Sequence, residues 1–291
     1  MERKVLKLEQ FPRLLQEIPS PPKELYVIGE LPPENSPNSE AGKIWLAVVG
    51  TRRFSTYGKE ACERIIRGLR GYNFVIVSGL ALGIDSIAHR AAITNNLPTI
   101  AVPGSGLDNN VLHPHSHKKL AEEIVRSGGA LVSEFPWDMP AGVYTFPQRN
   151  RIIAGLCKGT LIIEAPEKSG ALITANFSLE FNREVFSVPG SIFNENSKGT
   201  NKLIKMGAIP VTSADDILDA FDIPRQGDNL KLNLPNLSSL EQKILEALIE
   251  PIAKDDLIRK LGLPAPEINS TLTIMQINGI IKQSGGEIYR V

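Results

Sequence analysis

Residues 44–53 read IWLAVVGTRR: six apolar residues, then a glycine, a threonine and two arginines. A continuous apolar run of this length is typical of a strand that is buried on both faces of a parallel sheet. Five further runs repeat the pattern: NFVIVSG (73–79), PTIAVPG (98–104), ALVSE (130–134), TLIIEA (160–165) and EVFSVPG (184–190). Amphipathic stretches such as 59–70 and 84–95 stand between these runs. Alternating buried strands and helices predict a doubly wound α/β fold with a mostly parallel sheet.

The pattern changes on both sides of this region. Residues 1–43 are rich in proline, and we interpret them as an N-terminal arm that packs on a domain formed by residues 44–223. Residues 224–236 are polar and contain Gly and Pro, which predicts a linker. Three helical patterns (239–250, 253–262 and 266–279) and a hairpin with a Gly-Gly turn (280–291) complete the chain. Residues 237–291 are therefore predicted to form a small winged-helix domain.

The overall composition is that of a globular protein with no net charge. The 291 residues include 32 basic and 32 acidic residues, which argues against a nonspecific polycation but permits a local basic site. Cys62 and Cys157 both lie in apolar helical patterns, which indicates buried, reduced thiols and a cytoplasmic protein. The chain begins without a long apolar segment, and no run reaches the roughly 18 apolar residues of a membrane helix.

The loops that follow the predicted strands carry the residues suited to a ligand. In an open parallel sheet these loops share the edge at which ligands bind. Most contain glycine or a small hydroxyl residue, and backbone amides, helix N-termini and arginine forks all bind phosphate. Arg149 and Arg151, in the segment FPQRNR (146–151), are expected to face an anion at this edge together with Arg52 and Lys168. The alternative is that the two arginines lie on the surface and pair with carboxylates.

Other polar groups give weaker signals. HPHSH (113–117) favours a loop and a helix start over a zinc site, since no cysteine or carboxylate cluster accompanies it. Asp85 and His89 are four residues apart, and we expect a surface pair on one helix face rather than an acid–base pair. Tyr144 and Phe146 are equally suited to stacking on bases and to core packing. We expect no catalytic residue, no metal and no cofactor.

Seven blocks, in order, resemble the DNA-processing protein DprA family, also called Smf. They are GTRRFSTYG, VSGLALGIDSIAH, AVPGSGLD, SEFPWDMPAGVYTFPQRNRIIAGL, IEAPEKSGALITA, REVFSVPG and SKGTNKLIKMGA, which together span about 44–212. The resemblance implies an extended Rossmann-like core, commonly homodimeric, and a cytoplasmic protein without catalytic activity. It implies binding of single-stranded DNA without strong sequence preference, protection of that DNA, and help in loading the RecA recombinase during natural transformation.

The matching motifs provide the candidate DNA-binding residues. These are Gly50, Thr51, Arg52, Ser78, Gly79, Arg149, Asn150, Arg151, Lys168, Ser169, Gly170 and Thr174. The chain departs from the family pattern at Leu82, where a basic residue is common, and at Ala171, where serine is common. Loss of the charge at Leu82 is expected to weaken DNA binding without affecting the fold.

Two other interpretations remain open. The first is a small-nucleotide-binding Rossmann enzyme or sensor, similar to nucleoside-monophosphate phosphoribohydrolases, at the same edge of the sheet. The second concerns the winged helix, whose third helix contains no Lys or Arg. Because residues 237–291 carry six basic and seven acidic residues, this domain is expected to contact protein, or DNA only weakly.

Overall fold

The computed structural model describes residues 3–33, 42–225, 238–248, 252–277, 280–284 and 287–290. The chain divides into two compact units, residues 1–223 and 224–291. The segment 226–237, which includes most of the predicted linker, lies outside the described residues. Each unit has its own hydrophobic core.

The first unit contains nine strands in one sheet. Its strands are β1 (Arg3–Leu6), β2 (Leu25–Gly29), β3 (Ile44–Val49), β4 (Phe74–Ser78), β5 (Thr99–Ala101), β6 (Ala130–Ser133), β7 (Gly159–Ile162), β8 (Glu184–Ser187) and β9 (Ile209–Pro210). Its helices are α1 (Arg13–Gln16), α2 (Thr56–Gly68), α3 (Ile84–Thr94), α4 (Lys118–Arg126), α5 (Thr145–Leu156), α6 (Gly170–Glu180), α7 (Lys198–Lys205) and α8 (Ala214–Ala220). All six predicted strands are therefore confirmed.

The order of the strands is β1-β2-β6-β5-β4-β3-β7-β8-β9. The strands from β6 to β9 in this order are parallel, whereas β1 and β2 are antiparallel additions at one end. After β2 the chain enters the parallel part of the sheet at β3, builds outward through β4, β5 and β6, and returns to the other side of β3 at β7. The order of the strands therefore reverses between β3 and β7. The crevice outside the carboxyl ends of these two strands is the topological switch point, where ligands bind in doubly wound folds.

Strand β3 shows why both faces of the sheet are covered. Successive residues of a strand point to opposite faces, and every residue of β3 is buried. Trp45, Ala47 and Val49 pack in one core cluster with residues of α5 and α6. Ile44, Leu46 and Val48 pack in the other cluster with residues of α2, α3 and α8. The continuous apolar run at 44–49 therefore reflects two-sided burial, as its sequence indicates.

The proline-rich N-terminal segment, which the sequence predicts to be an arm packed on the domain, contributes strands to the sheet. Strand β2 pairs with β6, and β1 pairs with β2, so the segment extends the sheet by two strands. Leu25 and Val27 of β2 belong to the core. Pro12, Pro19 and Pro21 lie between β1 and β2 rather than in them, so they do not interrupt the pairing of these strands.

The second unit confirms the winged-helix prediction. It contains α9 (Ser239–Ala247), β10 (Ile252–Ala253), α10 (Lys254–Leu261), α11 (Ala265–Ile277), β11 (Ile281–Ser284) and β12 (Glu287–Arg290). The three strands form an antiparallel sheet in the order β10-β12-β11. Residues of all three helices and of the hairpin share one core. The predicted Gly-Gly turn at 285–286 lies outside the described residues.

Candidate nucleic-acid interface

A cavity of about 270 Å³ lies at the switch point of the sheet. Its walls come from the residues that follow β3, from the start of α6 after β7, and from one side of α5. It therefore occupies the position that the strand order assigns to a ligand. Two exposed cations line this cavity: Arg52, which follows β3, and Lys168, which follows β7.

The wall after β3 is held by backbone hydrogen bonds. The amide of Thr51 donates to the carbonyl oxygen of Glu164 (2.8 Å), and the amide of Ile84, at the start of α3, donates to the carbonyl oxygen of Thr51 (3.2 Å). Gly83 precedes α3 with a φ of +87°, a conformation that favours glycine. The loop that bears Arg52 is thus fixed against both α3 and the segment after β7, while the Arg52 side chain is exposed.

Arg149 and Asp85 lie buried beneath the cavity, at Gly79. Arg149 is 5% exposed. It donates to the carbonyl oxygens of Gly79 (2.6 Å) and Val102, which follow β4 and β5. The Asp85 carboxylate accepts from the amides of Gly79 (3.0 Å) and Ala81 (3.4 Å). Arg149 therefore connects α5 to the ends of two strands, and part of its donor capacity is already used inside the protein.

Burial governs the ionisation of these two groups. Burial raises the pKa of the Asp85 carboxyl, and the positive charge of Arg149 opposes that shift. Burial lowers the pKa of Arg149 to about 10, and Asp85 opposes that shift in turn. The guanidinium consequently remains protonated at neutral pH and adds a fixed positive charge to the floor of the cavity.

The start of α6 forms the opposite wall. Ser169 caps this helix, because its hydroxyl oxygen accepts from the amide of Ala171 (3.3 Å). Asn150 donates from its side-chain amide to the carbonyl oxygen of Gly170 (3.2 Å) and accepts from the Nε of Arg149 (3.2 Å). The positive end of the helix dipole and the exposed Lys168 thus lie together at the cavity, an arrangement that suits phosphate.

The ring of Phe146 lies next to Arg52. The Arg52 guanidinium carbon lies 5.2 Å from the centroid of the Phe146 ring. The His113 ring meets the same phenyl ring edge-on at 5.7 Å. Partial burial lowers the pKa of His113, with smaller contributions from His115 and Arg52. Phe146 lines the cavity, whereas Tyr144 is 65% exposed and lies outside the cavity wall.

The structure brings together nine of the twelve residues that the sequence singled out. Those that line the cavity are Gly50, Thr51, Arg52, Arg149, Asn150, Lys168, Ser169, Gly170 and Thr174. Ser78 and Gly79 lie beneath it, and the Ser78 hydroxyl is fully buried and donates to the carbonyl oxygen of Val48 (2.6 Å). Ser78 therefore supports β3 and exposes no group to a ligand.

Arg151 does not face the cavity. Its guanidinium donates to the Glu134 carboxylate and to the carbonyl oxygen of Ser20. Burial raises the pKa of Glu134, and Arg151 opposes that shift. The expectation that both arginines point toward one anion is therefore wrong for Arg151, which pairs with a carboxylate as the alternative proposed. On a helix, residues two positions apart point to different sides, which accounts for the difference from Arg149.

The expected surface pair of Asp85 and His89 is also wrong. Asp85 is 6% exposed and His89 is fully buried. His89 Nδ1 lies 2.7 Å from the hydroxyl oxygen of Thr99, so the two side chains have different partners. Burial lowers the pKa of His89 to about 3. The sequence signal that was overlooked is the apolar character of both sides of α3, which packs between β3 and α2.

The remaining histidines lie around a short helical turn. His115–His117 form a 3-10 turn before α4, in agreement with the sequence. His117 Nδ1 lies 2.8 Å from the carbonyl oxygen of Leu80. Within the described ranges, no group of three or more His, Cys, Asp or Glu residues is placed to hold a metal ion. Nor does any helix in the described part of the chain have the length and apolar character needed to cross a membrane.

The fold and the cavity together define a Rossmann-like α/β protein with exposed cations at its switch point and a C-terminal winged-helix unit. The chain belongs to the DNA recombination-mediator protein A family, whose model matches residues 4–222. A DprA winged helix domain model matches residues 230–287.

Similar proteins cover most of the chain. Protein Smf of Escherichia coli (strain K12) is 40% identical over 279 residues, which are 93% of this chain and 72% of that protein. The X-ray structure of DNA processing protein A from Streptococcus pneumoniae superposes with a TM-score of 0.66 at 39% identity, covering 74% of this chain and 73% of that one. DNA processing protein A from Helicobacter pylori, described for its single-stranded DNA binding mode, has a TM-score of 0.64 at 27% identity, covering 76% and 95%.

Proposed function

We propose that this protein binds single-stranded DNA, without strong sequence preference, along the switch-point edge of its sheet. The observation that carries the proposal is the position of two exposed cations, Arg52 and Lys168, on opposite sides of the switch-point cavity. Neither forms an ion pair with another described residue. Together with the α6 N-terminus they offer binding sites for successive phosphates, while Phe146 offers a ring to a base.

The role of the bound strand in the cell is proposed from the family to which the chain belongs. The bound strand is protected in the cytoplasm, and the protein helps to load the RecA recombinase onto DNA taken up in natural transformation. A homodimer would present two such edges to one strand. No step of this function makes or breaks a covalent bond, so we propose a mediator rather than an enzyme.

Binding of a small nucleotide in the same cavity is the competing function. A cavity of about 270 Å³ accommodates part of a nucleotide, and the phosphate-binding features would serve either ligand. The two ligands differ in size, because a DNA strand also contacts cations beyond the cavity, whereas a mononucleotide does not. A mononucleotide should therefore compete poorly with a bound strand, which distinguishes the two functions.

The test is fluorescence anisotropy of labelled oligo-dT with the full chain, over a series of salt concentrations. We expect affinity that falls with salt because phosphate contacts release counterions. Unlabelled duplex and a nucleoside monophosphate should compete poorly. Efficient competition by the monophosphate, or binding that is insensitive to salt, would contradict the proposal. RecA assembly on strands already covered by a single-strand-binding protein tests the mediator role separately.

A further inference from the structure

The loop between β8 and α7 presents two apolar side chains to solvent. Phe193 is 92% exposed and Ile192 is 78% exposed. A single exposed apolar residue needs no explanation, but two adjacent ones at the tip of a loop form a surface that is suited to binding.

The backbone of this loop is held in one conformation. The Asn201 side chain exchanges hydrogen bonds with Gly190, accepting from its amide (3.2 Å) and donating to its carbonyl oxygen (3.0 Å). The Asn194 side chain accepts from the amide of Asn196 (3.0 Å), and the carbonyl oxygen of Asn196 accepts from the amide of Ala165 (2.8 Å). The backbone that presents the Phe193 ring is therefore held on both sides of the residue, so little backbone freedom is lost when the ring binds a partner.

The same loop is connected to the cationic segment after β3. The Asn196 side chain donates to the carbonyl oxygen of Arg53 (2.8 Å). The Tyr57 hydroxyl donates to the carbonyl oxygen of Pro189 (2.6 Å). Arg52 and Arg53 are exposed, and in the part of the chain that the structure describes neither pairs with a carboxylate. The loop that carries the exposed Phe193 ring is thus hydrogen-bonded to the segment that carries Arg52 and Arg53.

From this juxtaposition we infer that Phe193, supported by Ile192, is a base-stacking site that extends the candidate interface beyond its cavity. The ligand is one or two unpaired bases of a strand whose phosphates lie on Arg52 and Arg53. Exposed rings next to cations are how proteins bind single strands without reading sequence. The inference rests on the proposed single-strand binding and specifies where a base is held.

A protein partner fits this surface less well. A stable protein interface buries about 800 Å² on each partner, far more than two side chains at a loop tip supply. The adjoining arginines also favour a polyanion. One phenyl ring, by contrast, matches a single base in size.

The test compares Phe193→Ala, Phe193→Leu and Phe193→Trp in the full chain, with oligo-dT and with an abasic oligonucleotide of the same length. Loss of the ring in the Ala and Leu variants should weaken oligo-dT binding about tenfold, the size of one lost base stack. Binding of the abasic strand and the salt dependence should remain unchanged, since no phosphate contact is lost. Phe193→Trp, which keeps a ring, should bind as the wild type does.

Three results would overturn the inference. Wild-type affinity of the Ala or Leu variant for oligo-dT would show that the ring holds no base, while the proposed function would stand. A change of oligomeric mass in Phe193→Ala with unchanged DNA affinity would make the loop a protein interface instead. If the wild-type chain bound neither oligonucleotide, the proposed function itself would fail, and the inference with it.

Discussion

Arg149 and Asp85 meet at one residue of the chain, Gly79. The guanidinium donates to its carbonyl oxygen, and its amide donates to the carboxylate. A Cβ added at Gly79 would fall 2.5 Å from Arg149 Nη1 and 2.6 Å from Asp85 Oδ2. The loop after β4, the start of α3 and the middle of α5 are therefore held together at a point where only glycine fits.

Gly79→Ala should destabilise the first unit by about 2 kcal/mol, because the added methyl group displaces two buried charged groups from their partners. Equilibrium urea unfolding, followed by the fluorescence of the buried Trp45, measures the change. Gly170→Ala is the matched control, since a Cβ there meets nothing within 4 Å and should leave the unfolding free energy nearly unchanged. Equal stability of the two variants would contradict this role of Gly79.

Acid stability should depend on His89. The pKa of this buried imidazole is lowered from 6.5 to about 3, so below pH 6.5 the unfolded chain binds a proton that the folded chain does not. The stability contributed by the neutral ring is present above that pH and is lost as pH falls toward 3, at about 1.4 kcal/mol per pH unit. Unfolding free energies measured between pH 7 and 5 should fall less steeply in His89→Gln than in the wild type. His115→Gln, at an exposed histidine, should follow the wild-type profile, and a wild-type slope in His89→Gln would refute the assignment.

Leu82→Lys should strengthen single-strand binding. Leu82 is 49% exposed in the loop that leads into α3, at the same edge of the sheet as Arg52. One added phosphate contact should raise affinity several-fold at low salt and steepen the dependence of log K on log[salt] by roughly 0.7. Val5→Lys, on the edge strand β1, adds the same charge far along the sheet. An equal gain in both variants would indicate a nonspecific effect of net charge.

Much of this fold follows from local sequence patterns. The apolar runs predict the parallel strands because a strand buried on both faces has no polar positions, as all six residues of β3 illustrate. The order of the loops after those strands then places Arg52 and Lys168 at one edge, which the topology confirms. Strands β1 and β2 were not predicted, since they are short, antiparallel and set among prolines, and only the pairing of β2 with β6 and of β1 with β2 defines them.

The errors at the site have one physical origin, which is that side-chain partners are set by tertiary contacts. Arg149 and Arg151 are both arginines of one motif, yet Arg151 forms an ion pair with the carboxylate of Glu134. Asp85 and His89 carry polar groups that suggest a surface, yet both lie on the buried side of α3. Neither Glu134 nor Thr99, the partners that decide these cases, is near in sequence to the residue it binds.

The most direct test of the account is oligo-dT anisotropy across a salt series with Arg52→Glu, Lys168→Glu and Arg151→Gln. The first two variants place a negative charge at the switch-point cavity, and each should lose most single-strand affinity. Arg151→Gln removes one positive charge outside the cavity and should bind nearly as tightly as the wild type. Loss of binding in Arg151→Gln with retention in the other two would contradict the assignment of the interface to the switch point.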